Sequence, residues 1–579
     1  MGACCETKGR IEGGSSSHIS IHEQKAIRLL YDQHNQGQVF TFFNKLEFSD
    51  QQNLMKEAIS VDLSLINQLF AEYCEPPSTT KSSSFLNVST SLNTSNPQNN
   101  QGSKPKVPAL TLTYKKQEPV QLIDPLKPDI FGFKDQLTSD TKTQMIELGQ
   151  EMIRDGMVAV IVLAGGQGTR LGFDRSKGEY PVNTPSLKTI FQILLEKFLK
   201  AQMNAHNSSE VTDSIQNCKF IVMTNPMNHE ETVQFFEFNR YFGVRRDSVI
   251  FFEQPILPLV NFDGKIIMDE PNKIALAPNG NGAIYDAINN NFRVKEIINS
   301  VDYVQIVHCD NPLNKILDPL FIGYTAQNDL YLCMKGSKKR RDHSFLLGGV
   351  FASKNHRYAC VDYELVKDFA DFKTDCIENL NIFMLKADKL SELCSNAENL
   401  SYNYQKQSHR YPYWDFKTMK LIKPTQPNAY KFELNLTDML SFVESDKFGV
   451  LVVQRDDEYA PIVYADNVKK AAAFLKSKTI LSPRLRPNLD TSANNDALSD
   501  NGGSSNALAP FYQETPITAR DLIFRQSQKW LKEAGAVLTN EFAHIEVDTL
   551  LSYDGEGLRD IVEGRKMPPP NYIKRGVLK

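Results

Sequence analysis

The stretch that decides the fold is MVAVIVLAGGQGTRLG, residues 157–172. Its first seven residues are continuously apolar and rich in β-branched side chains, which is typical of a strand buried on both faces of a parallel sheet. The glycines that follow let backbone N–H groups approach phosphate oxygens, because no Cβ stands in the way. Ligands bind at the carboxyl ends of strands in such sheets, so residues 163–172 predict a phosphate-binding loop.

The same alternation of strand and helix continues on the carboxyl side of this loop. Apolar runs predict further strands, and residues recurring at helical spacing predict helices between several of them. We therefore predict an α/β fold with a Rossmann-like mixed, mostly parallel sheet flanked by helices. The predicted strands are 157–163, 219–224, 248–252, 303–308 and 449–454, and the predicted helices are 187–203, 229–241 and 283–298.

Composition divides the rest of the chain. Apolar residues recur at helical spacing near the amino terminus, where Ser49 and Gln52 predict a capping box at the start of a helix. Two stretches rich in Ser, Asn and Gly or Pro lack residues able to pack, which predicts disorder. We predict a flexible tail at 1–17, a small helical module at 18–75, a low-complexity linker at 76–118, a catalytic domain at 119–455 and a C-terminal module at 456–579 with a disordered loop at 488–510.

Charge and composition exclude several classes of protein. The net charge of −4 over 579 residues gives no basic field of the kind that draws proteins onto nucleic acid. No run approaches the roughly 18 apolar residues of a membrane span. The nine cysteines include no CxxC pair, which favours a reduced, cytoplasmic compartment. We expect no nucleic-acid partner.

Membrane association would have to come from the amino terminus. Gly2 follows the initiator methionine, and Cys4 and Cys5 follow closely, which would suit N-myristoylation with S-palmitoylation. The myristoylation pattern requires Ser or Thr at position 6, where this chain has Glu6. A disordered polar tail is the alternative interpretation, and both stay open.

Two common glycine motifs do not fit the loop. A dinucleotide fingerprint requires a third glycine where the chain has Leu171, which disfavours a dinucleotide-binding oxidoreductase. A P-loop requires Lys followed by Ser or Thr, but Lys177 is followed by Gly178. A plain structural turn would explain neither Arg170 nor Lys177 so close to the glycines.

A family resemblance accounts for the loop. LAGGQGTRLG at 163–172, Lys177-Gly178 and PSLKTIFQ at 185–192 resemble the eukaryotic UDP-N-acetylhexosamine pyrophosphorylases, which are UTP-dependent. Glucose-specific relatives carry Leu in place of Gln167, which favours the acetylhexosamine branch. The resemblance implies the nucleotide-diphospho-sugar transferase type of fold, and it extends to segments 252–254, 279–282, 309–311, 455–461, 518–520 and 552–558.

The resemblance implies attack by a sugar 1-phosphate oxygen on the α-phosphorus of UTP, with release of pyrophosphate. The nucleophile is already an anion, so catalysis needs alignment and charge neutralisation rather than a general base. The implied cofactor is Mg²⁺ or Mn²⁺, held by Asp310. The implied catalytic residues are Arg170, Lys177 and Lys431. The implied UTP-binding residues are Leu163, Ala164, Gly165, Gly166, Lys177, Gln254, Gly280, Asp310 and Lys431, and the implied sugar-binding residues are Asn281, Asp362 and Tyr363.

The sugar side departs from the family pattern. Asp362-Tyr363 stands where the family has Glu-Tyr, and Asn435 and Thr437 stand where it has aromatic residues. Val463 replaces a substrate-contacting lysine, and residues 378–382 match the sugar loop only loosely. We predict synthesis of UDP-N-acetylglucosamine by a monomer or homodimer. The alternatives are GalNAc-1-phosphate or another hexose 1-phosphate as substrate, or a non-catalytic nucleotide-binding paralogue.

Overall fold

The structure is a computed structural model. It describes residues 18–74, 122–339, 348–372, 376–396, 405–444, 446–466, 514–539, 544–568 and 571–574. The tail with Gly2, Cys4 and Cys5, the linker at 76–118 and the loop at 488–510 lie outside these residues.

A mixed, mostly parallel sheet forms the centre of the protein, which confirms the predicted fold class. Its strands lie in the order Phe131–Phe133, Phe448–Val452, Leu332–Lys338, Ile377–Lys386, Tyr303–His308, Val158–Leu163, Lys219–Thr224 and Val249–Glu253. Neighbours along this order are parallel, except that Ile377–Lys386 is antiparallel to both of its neighbours. Strands Ile123–Asp124, Val350–Lys354 and Arg357–Val361 extend the sheet from Ile377–Lys386.

Helices cover both faces of the sheet. One core holds helices Ser139–Arg154, Ile190–Ala205, His229–Phe238 and Pro319–Gln327. The other holds helices Ile284–Asn289, Phe292–Asn299 and Ala387–Ser395. Strand Val158–Leu163 contributes alternate side chains to the two cores, which explains why it is apolar throughout. None of the helices that the structure describes is long and apolar enough to cross a membrane.

Capping side chains account for two differences from the predicted helices. The helix predicted at 187–203 begins at Ile190, because the Thr189 hydroxyl accepts a hydrogen bond from the Gln192 amide. The helix predicted at 283–298 is two helices, because Asn291 caps the second by accepting from the Val294 amide. Short polar side chains at N-cap positions thus set the true boundaries.

Helices Ile21–Gln33, Phe48–Ser60 and Leu63–Tyr73 form an N-terminal group that packs on strands Val260–Asn261 and Ala429–Glu433. The predicted capping box at Ser49 and Gln52 is wrong. Ser49 lies inside a helix that begins at Phe48, and the Gln52 side chain accepts instead from the Ile19 amide at 2.7 Å. The capping box in this group joins Ser20 and Glu23.

The C-terminal part consists of helices Pro516–Glu533 and Arg559–Val562 and short strand pairs, Val537–Leu538 with Lys566–Met567 and Ile545–Val547 with Asn571–Ile573. Glu546 in this part accepts hydrogen bonds from the Ser186 amide at 2.8 Å and the Thr184 hydroxyl at 3.0 Å. Lys188 donates to Asp548 at 2.8 Å. Three side chains at 184–188 therefore hold the C-terminal part against the sheet domain.

A buried group of charges lies between these parts. Lys335, with a fully buried side chain, donates to Asp318 at 2.6 Å and to Glu458. Lys315 donates to Asp554 of the C-terminal part at 2.5 Å. Burial opposes the charged form of Glu458, yet the surrounding lysines, Lys335 foremost, hold its pKa below the ordinary value. The pairing therefore keeps the buried charges of Lys335, Asp318 and Glu458 compensated in the interior.

We expect Lys335→Met to lower the free energy of unfolding by about 3–5 kcal/mol, because it leaves Asp318 and Glu458 buried without their shared cation. Urea unfolding monitored by circular dichroism measures the loss. Lys367→Met is the matched control, since Lys367 pairs with Glu364 at the surface and its loss should cost far less. Equal losses in the two variants would contradict the assignment.

Candidate active site

A cavity of about 740 Å³ opens where the central strands end at their carboxyl edge. Its walls come from the glycine loop after Val158–Leu163, from the ends of the neighbouring strands and from strand Ala429–Glu433. The predicted site residues on the walls are Leu163, Gly165, Gly166, Arg170, Lys177, Gln254, Gly280, Asn281, Asp362 and Lys431. Segments far apart in the chain thus meet at one place, as ligand sites of open α/β sheets do.

Three predicted residues stand back from the walls. Ala164 is buried, and its amide donates to the Met223 carbonyl at 2.8 Å, which continues the pairing between neighbouring strands. Asp310 lies behind Lys177, with Oδ2 3.3 Å from the ammonium nitrogen. The Tyr363 ring lies beneath the Lys339 ammonium at 4.3 Å. Asp310 therefore lies next to a residue of the cavity wall, Lys177, whereas the Tyr363 ring contacts Lys339.

Two asparagines that the sequence analysis did not select hold the glycine loop. The Asn225 side-chain amide donates to the Gly165 carbonyl, and that of Asn228 donates to the Ala164 carbonyl at 3.0 Å. The two side chains also bond each other's backbone amides, at 2.9 and 3.1 Å. With these carbonyls occupied, the loop is fixed from behind. The sequence signal that could have identified these asparagines is their position just after the predicted strand 219–224.

Lys177 lies close to the end of strand Tyr303–His308. It lies beside Asp310, and both side chains are less than one-fifth exposed. His308, two residues earlier, also lines the cavity and was not predicted. Burial, helped by the nearby Lys177 charge, lowers the pKa of His308, so its imidazole is neutral at neutral pH. Positive charge beside Asp310 thus comes from Lys177 and not from His308.

Lys431 lines the cavity from strand Ala429–Glu433. Strand Ala429–Glu433 alternates, so Tyr430 and Phe432 contact the N-terminal helices while Lys431 and Glu433 line the cavity. The Lys431 ammonium lies 2.5 Å from a Glu433 carboxylate oxygen. Glu433 was not among the predicted site residues. The N-terminal helices therefore support the strand that presents Lys431.

The NGNG turn at 279–282 is fastened to the end of this strand. Gly280 has a φ of +79°, and a Cβ there would lie 2.3 Å from the Leu434 carbonyl oxygen. The Asn281 side chain accepts from the Leu436 amide at 2.9 Å, and the Leu434 amide donates to the Asn279 carbonyl at 3.0 Å. Glycine is required at 280 both by the backbone conformation and by the close approach.

The residues that depart from the family pattern on the sugar side lie in different surroundings. Asn435 and Thr437 line the cavity, whereas Val463 is buried, and its amide donates to the Glu514 carbonyl at 2.8 Å. Asp362 lines the cavity and caps a short helix by accepting from the Glu364 amide at 3.1 Å. Small polar groups thus occupy this wall.

Residues 378–382, compared above with a sugar loop, lie in strand Ile377–Lys386 and not in a loop. The strand is irregular here, because its pairing with Leu332–Lys338 shifts register between Met334 and Gly336. Asn381 has a φ of +54° and lines the cavity, and its side chain accepts from the Asn379 side-chain amide at 2.8 Å. Asn381 therefore reaches the cavity from a strand of the central sheet.

The described part of the chain contains no cluster of three or more His, Cys, Asp or Glu side chains that would hold a metal by itself. Asp310 offers a single carboxylate beside the cavity. This fits magnesium, which takes one or two carboxylates and completes its shell with water and substrate phosphates. Any cation here would therefore arrive with a phosphate ligand.

Comparisons with known proteins extend over most of the chain. A sequence model of the family described as UTP–glucose-1-phosphate uridylyltransferase matches residues 113–469. The UDP-N-acetylglucosamine pyrophosphorylase of Saccharomyces cerevisiae is 31% identical over 453 residues, covering 75% of this chain and 82% of the yeast protein. The UDP-N-acetylglucosamine diphosphorylase 2 of Arabidopsis thaliana is 27% identical over 472 residues, covering 79% and 83%.

Among solved structures, the uridine diphosphate N-acetylglucosamine pyrophosphorylase from Trypanosoma brucei, in complex with an inhibitor, is similar with a TM-score of 0.64. The two chains are 22% identical, and the match covers 94% of this chain and 95% of the other. At this identity the likeness supports the fold alone.

We expect Gly280→Ala to weaken UTP binding at least tenfold, because the added Cβ would displace the Leu434 carbonyl and with it the strand that carries Lys431. Isothermal titration calorimetry measures the affinity. Gly557→Ala is the matched control, since Gly557 also has a positive φ, of +72°, but a Cβ there would contact nothing within 4 Å. An unchanged affinity in the Gly280 variant would contradict the role of the turn.

Proposed function

Since the chain belongs to the UTP–glucose-1-phosphate uridylyltransferase family, we propose that its cavity joins UTP to a sugar 1-phosphate. The products are a UDP-sugar and pyrophosphate. The observation that carries this proposal is the convergence of the glycine loop with Arg170, Lys177 and Lys431 on one cavity. A cavity that holds several cations suits phosphoryl chemistry with an anionic nucleophile, which needs no general base.

The sugar substrate we propose is N-acetylglucosamine 1-phosphate. Relatives from yeast and Arabidopsis that match most of this chain carry the names of UDP-N-acetylglucosamine pyrophosphorylase or diphosphorylase. In the reaction, a phosphate oxygen of the sugar 1-phosphate attacks the α-phosphorus of UTP. The bond between this phosphorus and the bridging oxygen to the β-phosphate breaks, and pyrophosphate leaves with the electron pair.

Each part of the cavity has a role in this scheme. The loop contacts the nucleotide from Leu163 to Gly166, with the amides of Gly165 and Gly166 toward the phosphates, and Asn225 and Asn228 keep the loop carbonyls turned away. Gln254 and Gly280 contact the nucleoside, while Asn281 and Asp362 face the sugar. Arg170, Lys177 and Lys431 neutralise phosphate oxygens, and each charge-assisted contact contributes roughly 1.5–3 kcal/mol.

Asp310 is the residue that would hold Mg²⁺ or Mn²⁺. When bound, the cation would neutralise phosphate charge and orient the phosphate oxygens. Lys177 lies 3.3 Å from the same carboxylate, so one side chain would serve both the lysine and the cation. Tyr363 follows Asp362 in the chain, but its ring lies against the Lys339 ammonium and does not line the cavity, so we assign it no contact with the sugar.

We further propose a cytoplasmic enzyme, monomeric or homodimeric, that reaches membranes only through acylation of Gly2, Cys4 or Cys5. The described cysteines are all free thiols, in keeping with a reducing compartment.

Purified protein with UTP and magnesium should release pyrophosphate fastest with N-acetylglucosamine 1-phosphate, compared with the N-acetylgalactosamine and glucose 1-phosphates. A coupled pyrophosphate assay gives the three kcat/KM values. A preference for glucose 1-phosphate would keep the chemistry and overturn the substrate. UTP binding without turnover on any sugar would favour the non-catalytic paralogue.

Lys177→Ala should lower kcat by about 10²–10³-fold, because it removes a cation aimed at charge that develops in the transition state. Single-turnover assays with the preferred sugar measure the loss. Lys389→Ala, which removes a surface lysine paired with Glu392, is the matched control and should keep full activity. A Lys177 variant within threefold of wild type would remove this residue from the mechanism.

Asp310→Asn should weaken binding of Mn²⁺ to the UTP complex by about 10–100-fold, since the amide carries no charge for the cation. Electron paramagnetic resonance of free Mn²⁺ reads the affinity without requiring turnover. Asp456→Asn, outside the cavity walls, serves as the charge-matched control. Equal Mn²⁺ affinity in wild type and the Asp310 variant would show that the cation is held elsewhere.

A further inference from the structure

We propose that Glu433 is a displaceable counterion of Lys431: its carboxylate pairs with the lysine in the empty cavity and is replaced there by a nucleotide phosphate. Glu433 thereby sets how tightly the cavity binds UTP. This inference rests on the proposed function and adds a residue that determines affinity within the same site.

The geometry places both side chains on one wall. Lys431 and Glu433 are two residues apart on strand Ala429–Glu433, so they project from the same face. Both line the cavity, and the ammonium nitrogen lies 2.5 Å from the carboxylate oxygen. The side chains are 21% and 24% exposed, so the pair is open to an incoming ligand yet partly desolvated.

The opposite face of the strand keeps the pair in place. Phe432 is 1% exposed and packs in the core of the N-terminal helices. The strand is also hydrogen-bonded to Gln405–His409 and to Val260–Asn261. The backbone under Lys431 therefore cannot withdraw, and adjustment on ligand binding falls to the side chains.

A carboxylate in this position competes with a phosphate for the same cation. If Glu433 stays bound, its negative charge faces the phosphate at short range, and if it leaves, the lysine–carboxylate contact is lost. Either way Glu433 weakens nucleotide binding. In the empty cavity the same contact is favourable, because a partly buried lysine without a partner is costly.

The second lysine–carboxylate pair differs in this respect. Asp310, beside Lys177, has the proposed role of holding a cation that arrives with UTP, so its negative charge assists nucleotide binding. Glu433 lies beside Lys431 on strand Ala429–Glu433, and no such role is proposed for it. Of these two carboxylates, Glu433 is the one whose neutralisation should tighten binding.

The experiment is a double-mutant cycle read by calorimetric titration of UTP into the full-length chain. Glu433→Gln should tighten UTP binding about three- to tenfold, because it removes the charge and keeps the shape. Lys431→Met should weaken it. In the Lys431→Met background, Glu433→Gln should change the affinity by less than twofold, because there is then no ammonium group for the carboxylate and the phosphate to compete for.

Asp329→Asn is the matched control, because it removes one carboxylate from an exposed pair with Lys447, at 2.5 Å, away from the cavity. It changes the net charge by the same amount and should leave the UTP affinity within twofold of wild type. Glu433→Asp, which withdraws the charge by one methylene, should tighten binding by less than Glu433→Gln. It also keeps the test open if the glutamine variant fails to fold.

Unchanged or weaker UTP binding by Glu433→Gln would overturn the inference, as would an effect of equal size with and without Lys431. Wild-type protein that turns over while the Glu433 variants bind UTP like wild type would refute only the counterion. Wild-type protein that neither binds UTP nor releases pyrophosphate would refute the proposed function itself.

Discussion

The burial of strand Val158–Leu163 on both faces is the constraint from which the rest of the structure follows. Its residues alternate between two cores, so a shift by one residue would exchange every contact on both faces. The register with the flanking parallel strands is therefore fixed. Because the strand cannot slide, the loop that begins at Leu163 has one position at the edge of the sheet. Asn225 and Asn228, at the end of the next strand, then complete the support of that loop.

The strands that could be predicted are those whose own residues form a recognisable apolar pattern. Strands Lys219–Thr224 and Tyr303–His308 were predicted with their observed bounds, because mainly apolar runs start and stop sharply there. Strand Ile377–Lys386 escaped prediction because Glu378, Asn379 and Asn381 make it resemble a loop. Two of these polar side chains have tertiary partners: Ser337 donates to Glu378 at 3.0 Å, and the Asn379 side-chain amide donates to the Gly348 carbonyl at 3.2 Å. No local sequence pattern predicts partners so distant in the chain.

The same distinction holds at the cavity. Residues of the glycine loop and of strand ends could be selected in advance, because their chemistry is visible in the chain itself. For Asn225 and Asn228 the only signal is their position after a predicted strand, and Glu433 has none, because each matters through a neighbour distant in sequence or through the face on which it lies. The segment at 185–192 shows the converse, since part of a family motif proves to hold another part of the protein. Ser186 and Lys188 there contact Glu546 and Asp548, and not the cavity.

The alternating strand Ala429–Glu433 makes the N-terminal helices part of the enzyme's working interior. Phe432 and Val260 are buried against these helices, and Gln36 bonds the Gly264 carbonyl from the same side at 2.8 Å. A shortened form that began near residue 122 would lay this apolar surface bare and leave the wall behind Lys431 without backing. The helices cannot be treated as a detachable appendage. In a truncated variant of the chain, their loss would disturb the strand that carries Lys431 into the cavity.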